Sequence, residues 1–269
     1  MLEISNLSVK RGYRTIIADL ALSIQPGQLV ALTGENGAGK STLLHTLAGT
    51  HSFIGQILFD EVPLTAWSAS ELARRRAVLT QHIQTAFNLS VIDVIAMGRH
   101  QIAESRQTCF KRVNEFIQLL ALEGLVSRST HQLSGGELQR VHMARCLAQL
   151  DAFGDAHKPA LLLLDEPTSA LDLRHQHTLM QLVRRFVEQG NAAIVAIHDL
   201  NLASLYANRV CLLHDKKVAA FGSPSGVFTA SRLESVYHTP MHVSSHPTLH
   251  HPMIYSEPKE NLYARTRNE

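Results

Sequence analysis

The sequence contains few cysteines and no long apolar run. Its 269 residues include three cysteines, Cys109, Cys146 and Cys211. An odd number at wide spacing is not typical of a disulfide framework or a zinc site, and it favours buried free thiols in a reducing compartment. No apolar stretch approaches the roughly 18–20 residues that a membrane-spanning helix needs. Residues 1–5 combine neither a basic flank nor a long apolar segment, so we expect no secretory signal.

The chain also lacks any block of like charge. Its formal net charge is +2, and no long basic run accompanies it. Nucleic acid is therefore not an expected partner. There are no internal repeats or low-complexity segments, and 45% of the residues are hydrophobic. These features predict a globular cytosolic protein that would reach a membrane only through a partner.

One glycine-rich stretch predicts a phosphate site. The nine residues Gly34, Glu35, Asn36, Gly37, Ala38, Gly39, Lys40, Ser41 and Thr42 fit the pattern G-x-x-x-x-G-K-[ST]. An apolar, strand-like run precedes them and a helical run follows, which is the context that this pattern requires. Glycines let backbone N–H groups turn inward, and the helix N-terminus favours an anion. We expect Lys40 to reach the β- and γ-phosphates and Ser41 to bind Mg²⁺.

Polar side chains follow three further predicted strands. Asp165 and Glu166 come after four leucines, His198 follows residues 193–197, and Gln81 follows residues 77–80. Ligands bind outside the carboxyl ends of the strands in open α/β sheets. Asp165 is placed to hold the Mg²⁺ shell, Glu166 to polarise a water, and His198 to contact the γ-phosphate. A solvated acidic turn and an ordinary loop histidine are the alternatives.

The motif Leu133–Arg140 identifies a family. Together with Gly34–Thr42 and Leu161–Pro167, it resembles the ATPase subunit of an ATP-binding-cassette (ABC) transporter over about residues 2–225. The resemblance implies an α/β fold in one nucleotide-binding domain. Its P-loop NTPase (RecA-like) core would span about 1–81 and 155–225, with a mainly parallel sheet and a small antiparallel β part. A helical subdomain would be inserted at about 82–154, and a C-terminal extension would cover about 226–269.

The resemblance also implies roles for individual residues. Two copies of the chain would form a head-to-tail dimer that buries two ATP molecules. In that dimer, Ser134, Gly135, Gly136 and Glu137 of one copy would contact the γ-phosphate held by the other. Asp172 would lie in the loop that couples the two sites. Glu166 would be the catalytic base, with His198 and Gln81 completing the catalytic set. Ser41, Gln81 and Asp165 would hold Mg²⁺.

Two contacts remain open at this stage. The family usually has an aromatic residue that stacks on adenine just after the first strand. In the best alignment of this chain with that pattern, the position is taken by Arg11, and Tyr13 follows two residues later. The resemblance also implies that a permease helix docks near residues 80–99. Phe87 is equally suited to that groove and to the core, whereas Leu89 and Met97 are expected in the core.

Cargo is indicated only by a closer resemblance. The spacer Ala148–Pro159 and the run Thr168–His177 are similar to those of bacterial haem-importer ATPases. This implies ATP- and Mg²⁺-dependent haem import through a dimeric permease, served indirectly by a periplasmic binding protein, at the cytoplasmic face of the inner membrane. Import of a ferric siderophore or vitamin B12 is the alternative. A soluble non-transport ABC ATPase is less favoured, and a P-loop kinase would leave Ser134–Glu137 without a role.

The C-terminal extension carries recurring histidines. His238, His242, His246 and His250 are spaced by four residues, which would place them on one helix face. Pro240, Pro247 and Pro252 prevent a continuous helix there. We therefore expect a surface extension with scattered histidines more than a metal or haem site, and we expect residues 259–269 to be disordered.

Overall fold

A computed structural model describes residues 1–81, 88–152 and 158–258. In these ranges the strands are, in chain order, β1 (Leu2–Arg11), β2 (Arg14–Ile24), β3 (Leu29–Gly34), β4 (Ile54–Phe59), β5 (Val62–Pro63), β6 (Arg76–Leu79), β7 (Leu161–Asp165), β8 (Ala192–Ala196), β9 (Arg209–His214), β10 (Lys217–Gly222), β11 (Met241–Ser245) and β12 (Pro252–Ser256). The α-helices are α1 (Lys40–Leu47), α2 (Ala69–Arg75), α3 (Val91–Gly98), α4 (Arg106–Leu119), α5 (Gly135–Gln149), α6 (Leu173–Glu188), α7 (Leu200–Tyr206), α8 (Pro224–Val227) and α9 (Ala230–Tyr237). Single 3₁₀ turns lie at Leu64–Ala66, Arg99–Gln101, Glu123–Leu125 and Thr130–Gln132.

The central sheet has the strand order β10-β9-β3-β8-β7-β6. Its neighbouring strands are parallel except for the β9–β10 hairpin. A second, antiparallel sheet has the order β2-β1-β4-β5. The predicted fold class, an α/β P-loop core with a mainly parallel sheet and a small antiparallel part, is confirmed.

Strand β2 was not predicted from the sequence. Its pairing with β1 contains several register shifts, and Asn6 and Asp19 have left-handed backbones with φ of 50° and 52°. Each shift moves the following side chains to the other face of the sheet, so the period of two is broken. The apolar alternation that marks a strand is therefore short in this part of the chain.

The core lies on both faces of the central sheet. Leu162 and Leu164 of β7 belong to one apolar cluster, whereas Leu161 and Leu163 belong to the cluster on the opposite face. All five residues of β7 are buried, as expected for a strand covered on both faces. Polar side chains are therefore displaced to the strand ends, where the candidate site lies.

Side-chain caps set the helix starts in the helical region. The side chains of Ser90, Ser105 and Ser134 accept hydrogen bonds from backbone N–H groups of α3, α4 and α5, respectively. These bonds satisfy donors that a helix N-terminus otherwise leaves unpaired. Gly135 and Gly136 form the first turn of helix α5.

One burial prediction in this region is wrong. Met97 was expected in the core, but 59% of its surface is exposed. Leu89 is partly buried against the core, as expected. Met97 lies on α3 outside the face that buries Val94 and Ile95, and a lone apolar residue in a short helix does not reveal which face it occupies. Phe87 lies outside the described residues.

The C-terminal extension contains regular structure that was not predicted, and residues 259–269, which were expected to be disordered, lie outside the described residues. It contains α9 and the hairpin β11–β12, and the hairpin packs on α7. Strand β12 begins at Pro252, which agrees with the expectation that prolines prevent a continuous helix. Among the described residues, no group of three or more His, Cys, Asp or Glu side chains could hold a metal ion, so the alternative of a histidine metal site gains no support.

The predictions about membrane helices and cysteines can also be compared with the structure. In the described ranges, no helix combines the length and apolar character needed to cross a membrane. The three cysteines are free thiols: Cys146 and Cys211 are buried, and Cys109 is partly buried. Burial raises the pKa of the Cys211 thiol to about 12, so it stays protonated and unreactive.

Candidate functional site

The loop between β3 and α1 encloses the Lys40 side chain. Lys40 is 6% exposed, and its Nζ donates to the carbonyl oxygens of Gly34 at 2.6 Å and Glu35 at 2.9 Å. Gly39, which precedes the helix, has a left-handed backbone with φ of 104°. The ammonium group is thus held inside the loop, and the first N–H groups of α1 are left for an anion.

The charge of Lys40 is only partly balanced by the protein. Burial lowers the pKa of Lys40, whereas the carboxylates of Glu166, Asp165 and Glu35 oppose that shift. A buried cation with backbone carbonyls as its hydrogen-bond partners favours an incoming anion. The loop can therefore bind a phosphate group through Lys40 and its own backbone.

Asp165 faces the same loop from the end of β7. The Ser41 hydroxyl donates to Asp165 Oδ1 at 3.1 Å, and Asp165 is only 3% exposed. Burial raises the pKa of Asp165, and the neighbouring Glu166 charge acts in the same direction, whereas the bond from Ser41 opposes it. A hydroxyl beside a poorly compensated carboxylate provides oxygen ligands of the kind that Mg²⁺ prefers.

Glu166 contacts the two other polar residues that were predicted at strand ends. Gln81 Nε2 donates to Glu166 Oε2 at 2.7 Å, and His198 Nε2 lies 2.5 Å from Glu166 Oε1. The three side chains meet because β6, β7 and β8 are parallel neighbours, so their carboxyl ends lie at one edge of the sheet. A carboxylate held between an amide and an imidazole is suited to orient and deprotonate a water.

These groups line one open cavity of about 400 Å³. Its walls include Lys40, Ser41, Gln81, Glu166 and His198, so they combine a cation, a hydroxyl and a carboxylate. The cavity is therefore of a size and polarity that fit a nucleotide phosphate tail.

The residues proposed to contact adenine are placed differently. Arg11 lines the cavity together with Arg14 and Ile16, whereas Tyr13 is fully exposed and is not among the lining residues. Sequence reasoning missed Arg14 and Ile16, because their positions depend on the unpredicted strand β2. Of the two open alternatives, Arg11 is the one that borders the cavity.

The second predicted anion site lies at the N-terminus of α5. Ser134 Oγ accepts from Glu137 N at 3.3 Å, and Glu137 Oε2 accepts from Ser134 N at 2.7 Å. This reciprocal capping box lowers the pKa of Glu137 through the bonds from Ser134. In the described chain, none of Ser134–Glu137 lines the cavity around Lys40. The two predicted anion sites of one chain are therefore separate.

Gly136 is required by packing within the chain. A Cβ atom built on Gly136 would lie 2.6 Å from the carbonyl oxygen of Ala170, whereas one on Gly135 would meet only the Ala170 Cβ at 3.7 Å. The sequence suggested that both glycines allow close approach of a phosphate. For Gly136, the structure adds a second reason for a glycine, because α5 packs closely against the loop that follows Glu166.

Gln139 links α5 to the carboxylate loop, and sequence reasoning assigned it no role. Its Nε2 donates to Glu166 O at 2.8 Å, and its Oε1 accepts from Ala170 N at 3.4 Å. The side chain is 7% exposed. Its burial and its partners are visible only in the folded chain, so the sequence carries no direct signal for this role.

Asp172 caps the helix that follows this loop. Its Oδ1 accepts from His175 N at 2.9 Å and lies 2.8 Å from His175 Nδ1, and these contacts lower the pKa of Asp172. The next residue, Leu173, is 74% exposed. The predicted coupling loop therefore ends at a fixed, charged turn beside an exposed apolar side chain.

Comparison with known proteins reveals extensive similarity. The family model described as ABC transporter matches residues 17–169. The hemin import ATP-binding protein HmuV of Idiomarina loihiensis is 44% identical over 258 residues, which cover 96% of this chain and 98% of that protein. HmuV of Pseudomonas entomophila is also 44% identical, and the similarity covers 94% of this chain and 99% of that protein.

Solved structures share the fold. One, described as a candidate metal-chelate type ABC transporter in an inward-facing conformation, has a TM-score of 0.77 and 26% identity, covering 96% of this chain and 98% of its own. The ATP-binding cassette MJ0796, a dimer bound to ADP and Pi, has a TM-score of 0.73 and 26% identity. The similarity covers 83% of this chain and 99% of that structure's chain.

Proposed function

Since this chain belongs to the ABC transporter family, whose ATPase subunits dimerise and hydrolyse ATP to drive transport, we propose that it energises the import of haem. Two kinds of observation support the proposal. The HmuV proteins are 44% identical over nearly their whole length. Lys40, the Ser41–Asp165 pair and the Gln81–Glu166–His198 group also line one cavity or contact its lining.

Within that function, Lys40 binds the β- and γ-phosphates of ATP together with the backbone of Gly34–Thr42. Mg²⁺, when bound, neutralises phosphate charge. Ser41, Asp165 and Gln81 are the residues that would hold it, directly or through water. Mg²⁺ usually takes only one or two protein groups beside substrate phosphates and waters, which suits the Ser41–Asp165 pair. Arg11, with Tyr13 as the alternative, contacts the base.

Glu166 is the general base in this proposal. It orients a water toward the γ-phosphorus and accepts its proton, and Gln81 and His198 hold the carboxylate in position. Their bonds of 2.7 and 2.5 Å to the two carboxylate oxygens support this assignment. Asp172 then lies in the loop that connects the two sites of a dimer.

The proposed assembly is a head-to-tail dimer. Ser134, Gly135, Gly136 and Glu137 of one copy would bind the γ-phosphate held by the other, which would explain why one chain carries two separate anion sites. We further propose that the dimer works at the cytoplasmic face of the inner membrane, on a permease that receives haem from a periplasmic binding protein, and that it has no nucleic-acid partner.

A Glu166→Gln variant tests the hydrolysis mechanism. It keeps the shape of the side chain but replaces one acceptor oxygen with an NH2 group and removes the base, so we expect ATP binding within about twofold of wild type and a loss of at least about 100-fold in turnover. The exposed turn residue Glu61 provides a matched control, and Glu61→Gln should hydrolyse ATP normally. Wild-type turnover of Glu166→Gln would refute the assignment of the base.

Cargo is tested in proteoliposomes. The chain is co-purified with its permease and assayed with the binding protein loaded with haem, a ferric siderophore or vitamin B12. Haem should stimulate both ATPase activity and uptake. Stimulation by a ferric siderophore or vitamin B12 alone would replace haem with the second candidate, which the metal-chelate type neighbour favours.

A further inference from the structure

The C-terminal helix α9 contacts the phosphate loop through its last residue. The backbone N–H of Gly34, the first residue of that loop, donates to the Tyr237 hydroxyl at 3.1 Å. We propose that Tyr237 is a positioning residue for nucleotide binding and holds the start of the loop in its binding conformation. This inference rests on the proposed function, because it concerns the same site.

Gly34 is a position that no side chain can stabilise. Its φ is 136°, and a Cβ atom there would lie 2.3 Å from the carbonyl oxygen of Leu213. Glycine loses more conformational freedom on folding than any other residue. Gly34 is instead held through its backbone, since its carbonyl accepts from Lys40 and its N–H donates to Tyr237. A side chain from the same loop and one that is 203 residues away thus fix both polar groups of Gly34.

Tyr237 is itself well fixed. Leu233 and Val236 of the same helix are 0% and 1% exposed, and the Tyr237 ring packs against the same core. His238, which follows it, has a left-handed backbone and contacts the ring of His214 at 6.0 Å between centroids. Burial raises the pKa of Tyr237 to about 12, so the hydroxyl is neutral at physiological pH. The acceptor for Gly34 N–H is therefore held in place independently of pH.

The chain beyond Tyr237 is attached to the other side of the site. Asn201 of α7 accepts from Ile254 N at 2.8 Å and donates to Ile254 O at 3.1 Å, and Ser204 Oγ donates to Pro252 O at 2.7 Å. Helix α7 begins directly after His198 and Asp199. The described C-terminal extension thus contacts both the phosphate loop and the helix that follows His198, so the chain is held at Tyr237 and again after it.

The variant Tyr237→Phe tests the proposal, because it keeps the ring and removes only the acceptor. Loss of one buried hydrogen bond should raise the dissociation constants of ATP and ADP about fivefold. An interaction made equally before and during reaction changes KM while kcat stays within about twofold. Calorimetric titration with ADP and steady-state ATPase assays of the full chain measure these effects.

Tyr206→Phe provides the matched control. Tyr206 is 8% exposed, and its hydroxyl lies 2.9 Å from His177 Nδ1, outside the residues that line the nucleotide cavity. This variant removes a comparable hydrogen bond, so it should lower the melting temperature to a similar extent while leaving the dissociation constant of ADP unchanged. An equal loss of ADP affinity in both variants would mean that Tyr237 acts only through general stability.

Hydrogen exchange supplies a local readout. Peptides that contain Gly34 should exchange their amides faster in Tyr237→Phe than in wild type, and no faster in Tyr206→Phe. Unchanged exchange and unchanged ADP affinity in Tyr237→Phe would overturn the inference. Failure of the wild-type chain to bind ADP or ATP at all would instead overturn the proposed function, so the two failures are distinguishable.

Discussion

At the residue scale, Glu166 is held by groups from three other parts of the chain. Gln81 and His198 contact its carboxylate, and Gln139 donates to its carbonyl oxygen. Its backbone is left-handed, with φ of 50°, which costs a residue other than glycine about 1 kcal/mol or more. The surrounding bonds offset this strain, so the direction of the side chain is set by the fold and not by a free rotamer choice.

Lys40→Ala should abolish most nucleotide affinity. The substitution removes the buried ammonium group and also its bonds to the carbonyls of Gly34 and Glu35, so the loop loses both charge and shape. Removing a charge-assisted contact to phosphate should raise the dissociation constant of ATP more than about tenfold in calorimetric titration. Lys217→Ala changes an exposed lysine of β10 and should bind ATP normally. Full affinity in Lys40→Ala would contradict the proposed phosphate site.

His142 gives the chain a pH-dependent stability. Burial lowers the pKa of His142 from 6.5 to about 4, and the neighbouring Arg145 acts in the same direction. Between these pH values the unfolded chain binds a proton that the folded chain does not. The free energy of unfolding should therefore be little affected by this group above pH 6.5 and fall as the pH decreases toward 4, by about 3 kcal/mol in all and by about 2 kcal/mol at pH 5.

Urea denaturation at pH 7.5, 6.0 and 5.0 measures this effect for the wild type and for His142→Gln. The wild type should lose more stability than the variant as the pH is lowered, because glutamine does not titrate. Parallel losses in the two proteins would assign the pH dependence to other groups.

Sequence reasoning was effective for residues that carry a local signal. Gly34–Thr42, Asp165 and Glu166 were identified because each follows an apolar run that predicts a buried strand. Gln139 and Tyr237 were missed, because their partners lie 27 and 203 residues away along the chain. A contact of that kind depends on how the sheet and helices pack, and a single sequence does not encode it in a recognisable pattern.

At the element scale, α5 connects the second anion site to the carboxylate loop. Its N-terminus carries the capping box of Ser134 and Glu137, and Gln139 bonds to the loop after β7. The rest of the helix buries Val141, Met143 and Ala144 in the core. A displacement of the loop that holds Glu166 would therefore be transmitted directly to the start of α5.

A pair of glycine substitutions tests this packing. Gly136→Ala would place a Cβ atom 2.6 Å from Ala170 O, whereas Gly135→Ala would make only an ordinary contact at 3.7 Å. Both sites lie in the first turn of α5, so the change in helix propensity is similar. Gly136→Ala should be less stable than Gly135→Ala by about 1–3 kcal/mol, because overpacking forces the backbone to shift. Urea denaturation measures the difference, and equal stabilities would show that the loop yields without cost.

Most of the elements were predictable where one periodicity continues over the whole element. The leucines of β7 and the amphipathic α6, Leu173–Glu188, are examples. The hairpin β11–β12 was not predicted, because its strands are polar and partly exposed. Bonds to Asn201 and Ser204 hold it in place, and its own sequence pattern gives little indication of a strand.

At the scale of the whole molecule, one chain contains a loop suited to bind phosphate and, apart from it, the capped N-terminus of α5 that was predicted to bind an anion. In the described part of the chain, none of Ser134–Glu137 at the start of α5 lines the cavity around Lys40. Leu173 is exposed beside Asp172, in the loop that was predicted to couple two sites. This arrangement leaves the cavity open to solvent, and the proposed closure requires a second copy of the chain.

Glu166→Gln should therefore form a stable dimer in ATP. The variant binds ATP but cannot hydrolyse it, so the groups that bridge two copies persist and the population shifts toward the closed state. Size-exclusion chromatography with light scattering should give twice the 29.7 kDa of one chain with ATP, and a single chain without it. Adding Lys40→Ala to the variant removes the phosphate contact and should abolish the ATP-induced dimer. A Glu166→Gln protein that binds ATP yet stays a single chain at micromolar concentration would refute closure by the partner, since the second anion site would then have no phosphate to bind.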